Sequence, residues 1–197
     1  MATKRIAVLG GPRCGKTTLI QHLYVEMKIA GLDVGYALEY STDYLKDKGM
    51  IETISEQYGI YLGQQKIESD LSIFDYALTD YATFVPYIYG RFMLGNKERS
   101  QKEIQILKDL YCLAIEDLPN YDMIIYIPRE FGYVQDGVRW QDADIAKQID
   151  DAILSFLKAE NINYVEVSGS TKDRAKEILG LLNVEYKETT ELEDSEK

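Results

Sequence analysis

The sequence predicts a three-layer α/β fold in which helices cover both faces of a parallel sheet of five strands. The main observation is that short runs rich in β-branched and aromatic residues alternate along the chain with longer runs whose apolar residues recur at helical spacing. The second is size: 197 residues with 46% hydrophobic content suffice for one sizeable hydrophobic core and are too few for two separate cores of that kind. We therefore expect a single domain.

The predicted strands are short apolar runs bounded by turn residues. They are RIAVLG at 5–10, DVGYALEY at 33–40, LSIFD at 71–75, YDMIIYIP at 121–128 and NYVEVSG at 163–169. Helical spacing is found at about 15–30, 43–68, 78–95, 99–118, 141–160 and 171–182. The domain is expected to span residues 1–183, followed at 184–197 by an acidic tail too poor in apolar residues to pack and expected to be disordered.

Charge and cysteine usage limit the classes of partner. The formal net charge of −11 disfavours nucleic acid as a partner without excluding it. A locally basic cleft can still hold a small anion. The apolar run that follows Met1–Arg5 is shorter than a signal peptide needs, and no run approaches membrane-spanning length. Cys14 and Cys112 have no metal-ligand spacing and suit a reducing compartment. We expect a cytoplasmic protein with no membrane partner, and the oligomeric state stays open.

The stretch VLGGPRCGKTTL at 8–19 contains the most specific motif of the chain. Gly10, Gly15, Lys16 and Thr17 match G-x-x-x-x-G-K-[ST] between a predicted strand and a predicted helix. The backbone N–H groups of such a loop point at a phosphate, and the positive end of the following helix faces the same anion. An ordinary glycine-rich turn is the alternative, but chance matches amount to under roughly 1%. The motif therefore predicts a P-loop that binds ATP with Mg²⁺.

Consecutive residues of the loop and of the helix start are assigned to nucleotide binding. They are Gly10, Gly11, Pro12, Arg13, Cys14, Gly15, Lys16, Thr17 and Thr18. Lys16 is predicted to reach the β- and γ-phosphates and to act in catalysis, and the Thr17 hydroxyl to bind the magnesium ion. Thr18 is placed to donate on the α-phosphate side.

The loop alone does not distinguish kinases from switch GTPases and mechanical ATPases. A GTPase needs an N-K-x-D guanine reader, and the nearest string, NKER at 96–99, has arginine in place of the aspartate and does not follow a strand. Motor and AAA-type ATPases usually carry two acids at the end of a strand and a helical lid domain beyond it, for which the chain stops too early. These observations favour a kinase.

Carboxylates and amides near the expected ligand edge are candidates for the acceptor side. Asp75 ends the predicted third strand, where ligands of open α/β sheets bind, and could hold the magnesium shell or accept the proton of the attacking hydroxyl. Glu39, near the end of the second strand, is the substrate-side candidate. Asp80 is interpreted as a capping or solvated residue outside the site. Gln64 and Gln65 could read a base edge, with simple helix surface as the alternative.

Arginines after the fourth predicted strand suit the charge that develops during phosphoryl transfer. Arg129 and Arg139 bracket a loop that also contains Gly132 and Gly137, the composition of a hinged lid. Both are therefore catalytic candidates. Arg91 would meet the acceptor if its helix faces the site. Plain surface charge is the alternative for each.

The chain resembles P-loop kinases of the ribosylnicotinamide kinase-like group, which is related more distantly to thymidylate and other nucleotide kinases. The resemblance extends to about residue 183 and rests on GGPRCGKTT, EYSTDYL, LSIFDYALTD, VQDGVR and VSGSTKDRAKEI, of which the first is highly specific. It implies that Asp75 acts near the acceptor hydroxyl and that Arg139 contacts the transferring phosphate. It also implies that Gly169, Ser170 and Thr171 lie near adenine.

Two departures from that group lie on the acceptor side. The chain reads EYSTD at 39–43 where relatives often read E-Y-A-R-E, and it has Asp75-Tyr76 where many have Asp-Arg. The acceptor of the group therefore does not carry over directly. The chain is also similar to phage-encoded P-loop kinases that phosphorylate a hydroxymethylated pyrimidine within DNA, although its acidity argues against gripping a duplex.

Taken as a whole, the sequence predicts Mg-dependent transfer of the ATP γ-phosphoryl group to a hydroxyl of a small nucleoside-like or nucleotide-like acceptor. Two alternatives stay open: a kinase acting on a hydroxymethylated pyrimidine in phage DNA, and an ATP-hydrolysing switch acting on a protein partner. The predicted catalytic residues are Lys16, Asp75, Arg129 and Arg139, the metal ligands Thr17 and Asp75, and the substrate contacts Glu39 and Arg91.

Overall fold

The computed structural model describes residues 2–95, 100–130 and 143–186. Its strands are β1 (Lys4–Leu9), β2 (Val34–Ala37), β3 (Tyr76–Asp80), β4 (Met123–Tyr126) and β5 (Val165–Glu166). Its helices are α1 (Lys16–Ile29), α2 (Tyr40–Lys48), α3 (Ile54–Ser69), α4 (Val85–Leu94), α5 (Gln101–Asp117), α6 (Ala143–Ala159) and α7 (Thr171–Leu181). Short 3₁₀ turns at Asp70–Ile73 and Leu118–Asn120 precede β3 and β4.

The five strands form one parallel sheet in the order β2-β3-β1-β4-β5. β1 lies at its centre, with Lys4 opposite Tyr76 and Val8 opposite Asp80 of β3. Ile6–Leu9 of β1 are fully buried, as expected of a strand whose two faces are both covered. The predicted five-stranded parallel sheet and the α/β class are therefore confirmed.

Alternate residues of β1 point into different cores, because successive side chains of a strand face opposite sides of its sheet. Ile6 and Val8 pack with α1 and α7, whereas Ala7 and Leu9 pack with residues of α4 and α6. Helices thus form a layer on each face of the sheet. Val184 and Tyr186, which the sequence assigned to the acidic tail, pack against the core formed with α1 and α7.

The third strand does not lie where the sequence predicted it. LSIFD at 71–75 forms the 3₁₀ turn and the residues after it, and the strand is Tyr76–Asp80. Both stretches are short apolar runs, which periodicity alone cannot separate. Pairing decides between them, because Ala77–Asp80 are all buried between β1 and β2, while Asp75 is exposed.

Some predictions fall on residues outside the described ranges. Arg139, most of the predicted lid and the end of the acidic tail are among them, since 131–142 and 187–197 are not described. The role assigned to Arg139 stays a prediction. Within the described residues, none of the helices combines the length and apolarity needed to cross a bilayer.

Candidate functional site

The glycine-rich loop connects the carboxyl end of β1 to the amino end of α1. Its first glycine, Gly10, has φ of 151°, and a Cβ there would lie 2.6 Å from the backbone oxygen of Ile127. Gly15 has φ of 88° and occupies the N-cap of α1. A glycine at the N-cap has no side chain to occupy the first N–H groups of the helix, so these groups stay available to an anion. The local structure is thus that of an anion-binding loop.

Lys16, the first residue of α1, is 4% exposed. Its Nζ donates to the backbone oxygen of Gly11 at 2.9 Å and lies 4.7 Å from the ring centroid of Tyr81. Tyr81 follows β3 directly, with φ of 81°, a backbone conformation that a tyrosine rarely adopts. Strained residues of this kind are concentrated at functional sites. The lysine cation is therefore held inside the loop, next to the end of β3.

Thr17 and Asp80 form an oxygen pair at the same edge of the sheet. The Thr17 hydroxyl donates to the Asp80 carboxylate, which is fully buried at the end of β3. Hydroxyl and carboxylate oxygens are the ligands that Mg²⁺ prefers, together with water and phosphate oxygens. Among the described residues no group of three or more His, Cys, Asp or Glu could hold a metal. The pair fits Mg²⁺, which usually takes few protein ligands and fills its shell from the substrate.

Asp75 lies at the opposite edge. Its backbone oxygen accepts a hydrogen bond from Lys4 N at 2.8 Å, at the amino ends of β1 and β3. Asp80 lies five positions further along the chain, about 16 Å at the rise of a strand. The prediction that Asp75 ends a strand at the ligand edge is therefore wrong, and Asp80, which the sequence analysis left outside the site, is the acid next to Thr17. The run YALTD, apolar and ending on an aspartate, was the signal available for it.

Arg129 contacts the P-loop from the end of the segment after β4. Its Nε and Nη2 lie 2.9 and 2.8 Å from Asp150 Oδ2, and Nη2 also donates to Pro12 O at 2.9 Å. Asp150 Oδ1 in turn accepts from Gly11 N at 2.5 Å. A Cβ on Gly11 would overlap this carboxylate, which would then have to move away from the loop. Asp150 is a site residue that the sequence analysis missed, because nothing in QIDDA distinguishes it from Asp151.

We expect Asp150→Asn to weaken both the fold and nucleotide binding. The change keeps the shape of the side chain but removes the charge that Arg129 requires, which should lower the free energy of unfolding by roughly 1–3 kcal/mol. It should also raise the Kd for MgATP, because Gly11 and Pro12 lose their fixed positions. Urea denaturation and calorimetric titration measure the two quantities. Asp151→Asn, a change on the exposed neighbour, is the control, and equal effects of the two substitutions would contradict the assignment.

The segment assigned to adenine is connected to the P-loop through Arg174. This side chain is 1% exposed and donates to Cys14 O at 2.9 Å and to Glu130 Oε2 at 2.6 Å. Glu130 also accepts from Gly169 N at 2.7 Å. The hydrogen bonds from Arg174 and from Gly169 lower the pKa of Glu130 below its ordinary value. Gly169 is thereby held near the loop, whereas adenine contacts of 169–171 stay a prediction.

A narrow cleft opens beside Lys16, between α2, α3 and α4. Its described wall consists of Pro12, Lys16, Glu39, Ser41, Thr42, Leu45, Ile51, Gln57, Ile60, Gln64, Tyr81, Val85, Pro86, Tyr89 and Met93. Glu39, predicted on the acceptor side, is on this wall and accepts a hydrogen bond from the Ser41 hydroxyl. Arg91 is exposed and is not among the wall residues, since α4 turns a different face to the cleft, so the structure does not bring it there.

Gln64 is engaged in a buried chain of hydrogen bonds behind the cleft. Its Oε1 accepts from Tyr40 N at 3.0 Å, which holds the start of α2, and its Nε2 donates to Glu68 Oε1 at 2.9 Å. Glu68 Oε2 accepts from the Tyr121 hydroxyl at 2.8 Å. Burial raises the pKa of Glu68 to about 7, and the hydrogen bonds from Gln64 and Tyr121 and the charge of Arg5 oppose this rise.

The raised pKa of Glu68 predicts that its contribution to stability falls as pH rises. Between the ordinary pKa of 4.5 and the folded value of about 7, the folded protein keeps a proton that the unfolded chain has lost, so rising pH favours unfolding. The gap corresponds to roughly 3 kcal/mol. Relative to the wild type, Glu68→Gln should therefore gain stability by about this amount between about pH 4.5 and 8. Urea denaturation across this range measures it. Glu116→Gln, on an exposed residue, should show a constant difference, and the same constancy for Glu68→Gln would contradict the prediction.

The sequence matches a known protein family over most of its length. A family model described as an AAA domain, AAA_28, matches residues 5–174. No curated protein matches the sequence. From the sequence, AAA-type ATPases were excluded because they usually carry two acids at the end of a strand and a helical lid domain beyond it. That exclusion is wrong at the level of the family, because the family model described as an AAA domain matches residues 5–174.

Similar solved structures share the fold at low sequence identity. The NadR protein in complex with NAD and AMP-PNP has a TM-score of 0.74 at 15% identity, over 94% of this chain and 51% of that one. NadR in complex with NR gives 0.75 at 15% identity, over 95% and 54%. Thymidylate kinase from Candida albicans gives 0.64 at 13% identity, over 92% of each chain. The chain spans about half the length of the NadR chains.

These likenesses confirm the resemblance to nucleotide-kinase-like P-loop proteins that the motifs implied. At such identities they show the fold alone. The family match is broader evidence, because it covers well over half of the chain and includes the loop, β3 and Arg174. The chain belongs to the AAA_28 family of P-loop AAA domains.

Proposed function

We propose that the protein is a Mg-dependent kinase that transfers the γ-phosphoryl group of ATP to a hydroxyl of a small nucleoside-like or nucleotide-like acceptor. The observation that carries the proposal is that Lys16 and Pro12 belong both to the P-loop and to the wall of the cleft. A donor phosphate held by the loop would therefore lie next to an acceptor in the cleft, and phosphoryl transfer depends mainly on such positioning.

The neighbours support a nucleotide donor and an acceptor of this class. NadR has been crystallised with NAD and AMP-PNP and with NR, and thymidylate kinase is a phosphotransferase of similar length to this chain. In this chain the loop N–H groups and Lys16 would bind the triphosphate, and Gly169, Ser170 and Thr171 would flank adenine. Arg129, already bonded to the loop at Pro12 O, would face the charge that develops on the transferring group, together with Arg139.

Thr17 and Asp80 are the residues that would hold Mg²⁺. When bound, the ion would neutralise charge on the phosphate oxygens of ATP. The pair would hold the ion at the end of β3, where the Thr17 hydroxyl donates a hydrogen bond to the Asp80 carboxylate. This arrangement assigns to Asp80 the metal role that the sequence analysis assigned to Asp75.

Among the described residues of the cleft wall, Glu39 is the carboxylate, and we assign it the acceptor proton. The acceptor oxygen attacks the γ-phosphorus, the bond from that phosphorus to the β-γ bridging oxygen breaks, and ADP leaves with the bond electrons. The hydroxyl proton passes to the Glu39 carboxylate. The products are a phosphate ester and ADP. The hydrogen bond from the Ser41 hydroxyl holds Glu39 in place for this transfer.

A second candidate is ATP hydrolysis coupled to a protein partner, which the description of the family as an AAA domain favours. One experiment separates the two. The protein is incubated with γ-labelled ATP and Mg²⁺, with a panel of nucleosides, nucleoside monophosphates and DNA containing 5-hydroxymethyluracil. Label in a nucleoside or nucleotide supports the proposal, and label in the DNA would move the acceptor to a hydroxymethylated pyrimidine. Labelled inorganic phosphate without any labelled acceptor supports the hydrolytic switch.

A further inference from the structure

Gln57 is a buried amide in the wall of the cleft. It is 3% exposed and lies on the same face of α3 as the other wall residues of that helix, Ile60 and Gln64. The hydrogen-bond partner that the described residues provide for its Nε2 is Met93 Sδ, at 3.4 Å. A thioether sulfur is a weak acceptor, and burying an amide without a good partner costs free energy. A bound ligand would therefore give this amide a better hydrogen-bond partner than the sulfur does.

The two ends of the cleft differ in charge. Among the described wall residues the charged ones are Lys16 and Glu39, which follow β1 and β2 at the carboxyl edge of the sheet. Gln57 lies seven residues before Gln64 on α3, which corresponds to about 10 Å along the helix. Gln64 itself holds Tyr40, the neighbour of Glu39. The cleft therefore has a charged end next to the P-loop and a second end that is distant from these charges.

Apolar side chains line the cleft together with the amide. They are Leu45, Ile51, Ile60, Val85, Pro86 and Met93. Tyr89, also on this wall, donates or accepts a hydrogen bond with the Tyr81 hydroxyl at 2.7 Å, which fixes its ring on α4. An apolar wall that includes a buried amide is typical of a site that binds a flat, uncharged ring by its faces and orients it by one edge.

We propose that Gln57 binds the base-like ring of the acceptor through a pair of hydrogen bonds. The ring presents a donor next to an acceptor on one edge, as nucleobases do, so the amide donates from Nε2 and accepts at Oε1. The hydroxyl of the same acceptor then lies at the charged end, near Lys16 and Glu39. This inference rests on the proposed kinase function and adds the chemical class of the group that the cleft selects.

The test compares nucleosides with analogues whose base edge is blocked by methylation. Uridine, cytidine, inosine and adenosine are first compared as acceptors for γ-labelled ATP, and the best of them is paired with its edge-methylated analogue, such as 3-methyluridine or 1-methylinosine. With the wild type, methylation should lower kcat/KM by at least about 100-fold, because it leaves the buried amide unpaired. Gln57→Met keeps the length of the side chain and removes the amide. In this variant, kcat/KM for the parent nucleoside should exceed kcat/KM for its methylated analogue by no more than about 10-fold.

Matched variants keep the result interpretable. Gln105→Met changes an exposed glutamine of α5, whose Nε2 donates to Asp109, and should keep the full preference for the unmethylated nucleoside. Gln57→Asn keeps an amide one carbon shorter and should retain part of it. MgATP affinity should be unchanged in Gln57→Met, which shows that the variant is folded.

The outcomes separate this inference from the kinase proposal. An unchanged methylation ratio in Gln57→Met, or equal use of parent and methylated nucleosides by the wild type, would overturn the role of Gln57 while the kinase function stands. Failure of every nucleoside to accept label, in a protein that binds MgATP, would overturn the proposed function and this inference together.

Discussion

Asp80→Asn should lower the rate of phosphoryl transfer by at least about 100-fold, whereas Asp75→Asn should leave it close to that of the wild type. Asp80 is fully buried at the carboxyl end of β3 and accepts the hydrogen bond of the Thr17 hydroxyl. An asparagine there keeps the shape but removes the negative charge that a divalent cation requires. Initial rates with γ-labelled ATP at saturating Mg²⁺ measure the effect.

The pair of substitutions compares two aspartates at opposite ends of one strand. Asp75 is exposed at the amino end, where its backbone pairs with Lys4, so its side chain has no route to the phosphates. Partial recovery of the Asp80→Asn variant at raised Mg²⁺ would support a metal role. A strong loss in Asp75→Asn with little change in Asp80→Asn would contradict the structure at β3 itself.

Lys16→Ala should lower kcat/KM for ATP by at least about 100-fold, and it should weaken binding of MgATP as well. The lysine is buried within the loop with its ammonium group 2.9 Å from Gly11 O, so it is held in position before any nucleotide arrives. Its loss removes the cation and leaves the backbone N–H groups as the remaining phosphate donors. Calorimetric titration with MgATP, combined with steady-state rates, separates binding from transfer.

Lys28→Ala is the matched control, because Lys28 lies in the last turn of the same helix and is more than a third exposed. Removing an exposed lysine of this kind changes stability little. Nucleotide affinity of Lys16→Ala equal to that of Lys28→Ala would show that the loop does not bind a polyphosphate, and the proposed function would then lose its donor.

The P-loop could be predicted in detail because its chemistry is local. Gly10 and Gly15 adopt backbone conformations that favour glycine, and Lys16 and Thr17 follow at once on the first turn of the helix. Every group involved lies within one short stretch of chain, so spacing alone carries the information. The alternation of strands and helices predicted the parallel sheet for the same reason, since each element is recognised from the spacing of its own apolar residues.

The third strand shows where local reasoning failed. LSIFD and YALTD are adjacent apolar runs of equal length, and each ends on an aspartate. The choice between them depends on pairing with β1, in which Val8 lies opposite Asp80, and this contact joins residues far apart in the chain. A strand boundary wrong by five residues moved the predicted acid from one edge of the sheet to the other.

By itself the sequence determined the fold class, the P-loop and the presence of carboxylates and arginines around it, because these follow from residue patterns along one stretch of chain. Only the tertiary structure decided which of them meet: Asp80 rather than Asp75 beside Thr17, Asp150 between Gly11 and Arg129, and Gln57 on the cleft wall. The physical reason is that burial and hydrogen bonding between distant segments select one side chain among several of the same type. Asp150 and Asp151 are adjacent aspartates that the sequence does not distinguish, and the packing of α6 buries the first and exposes the second.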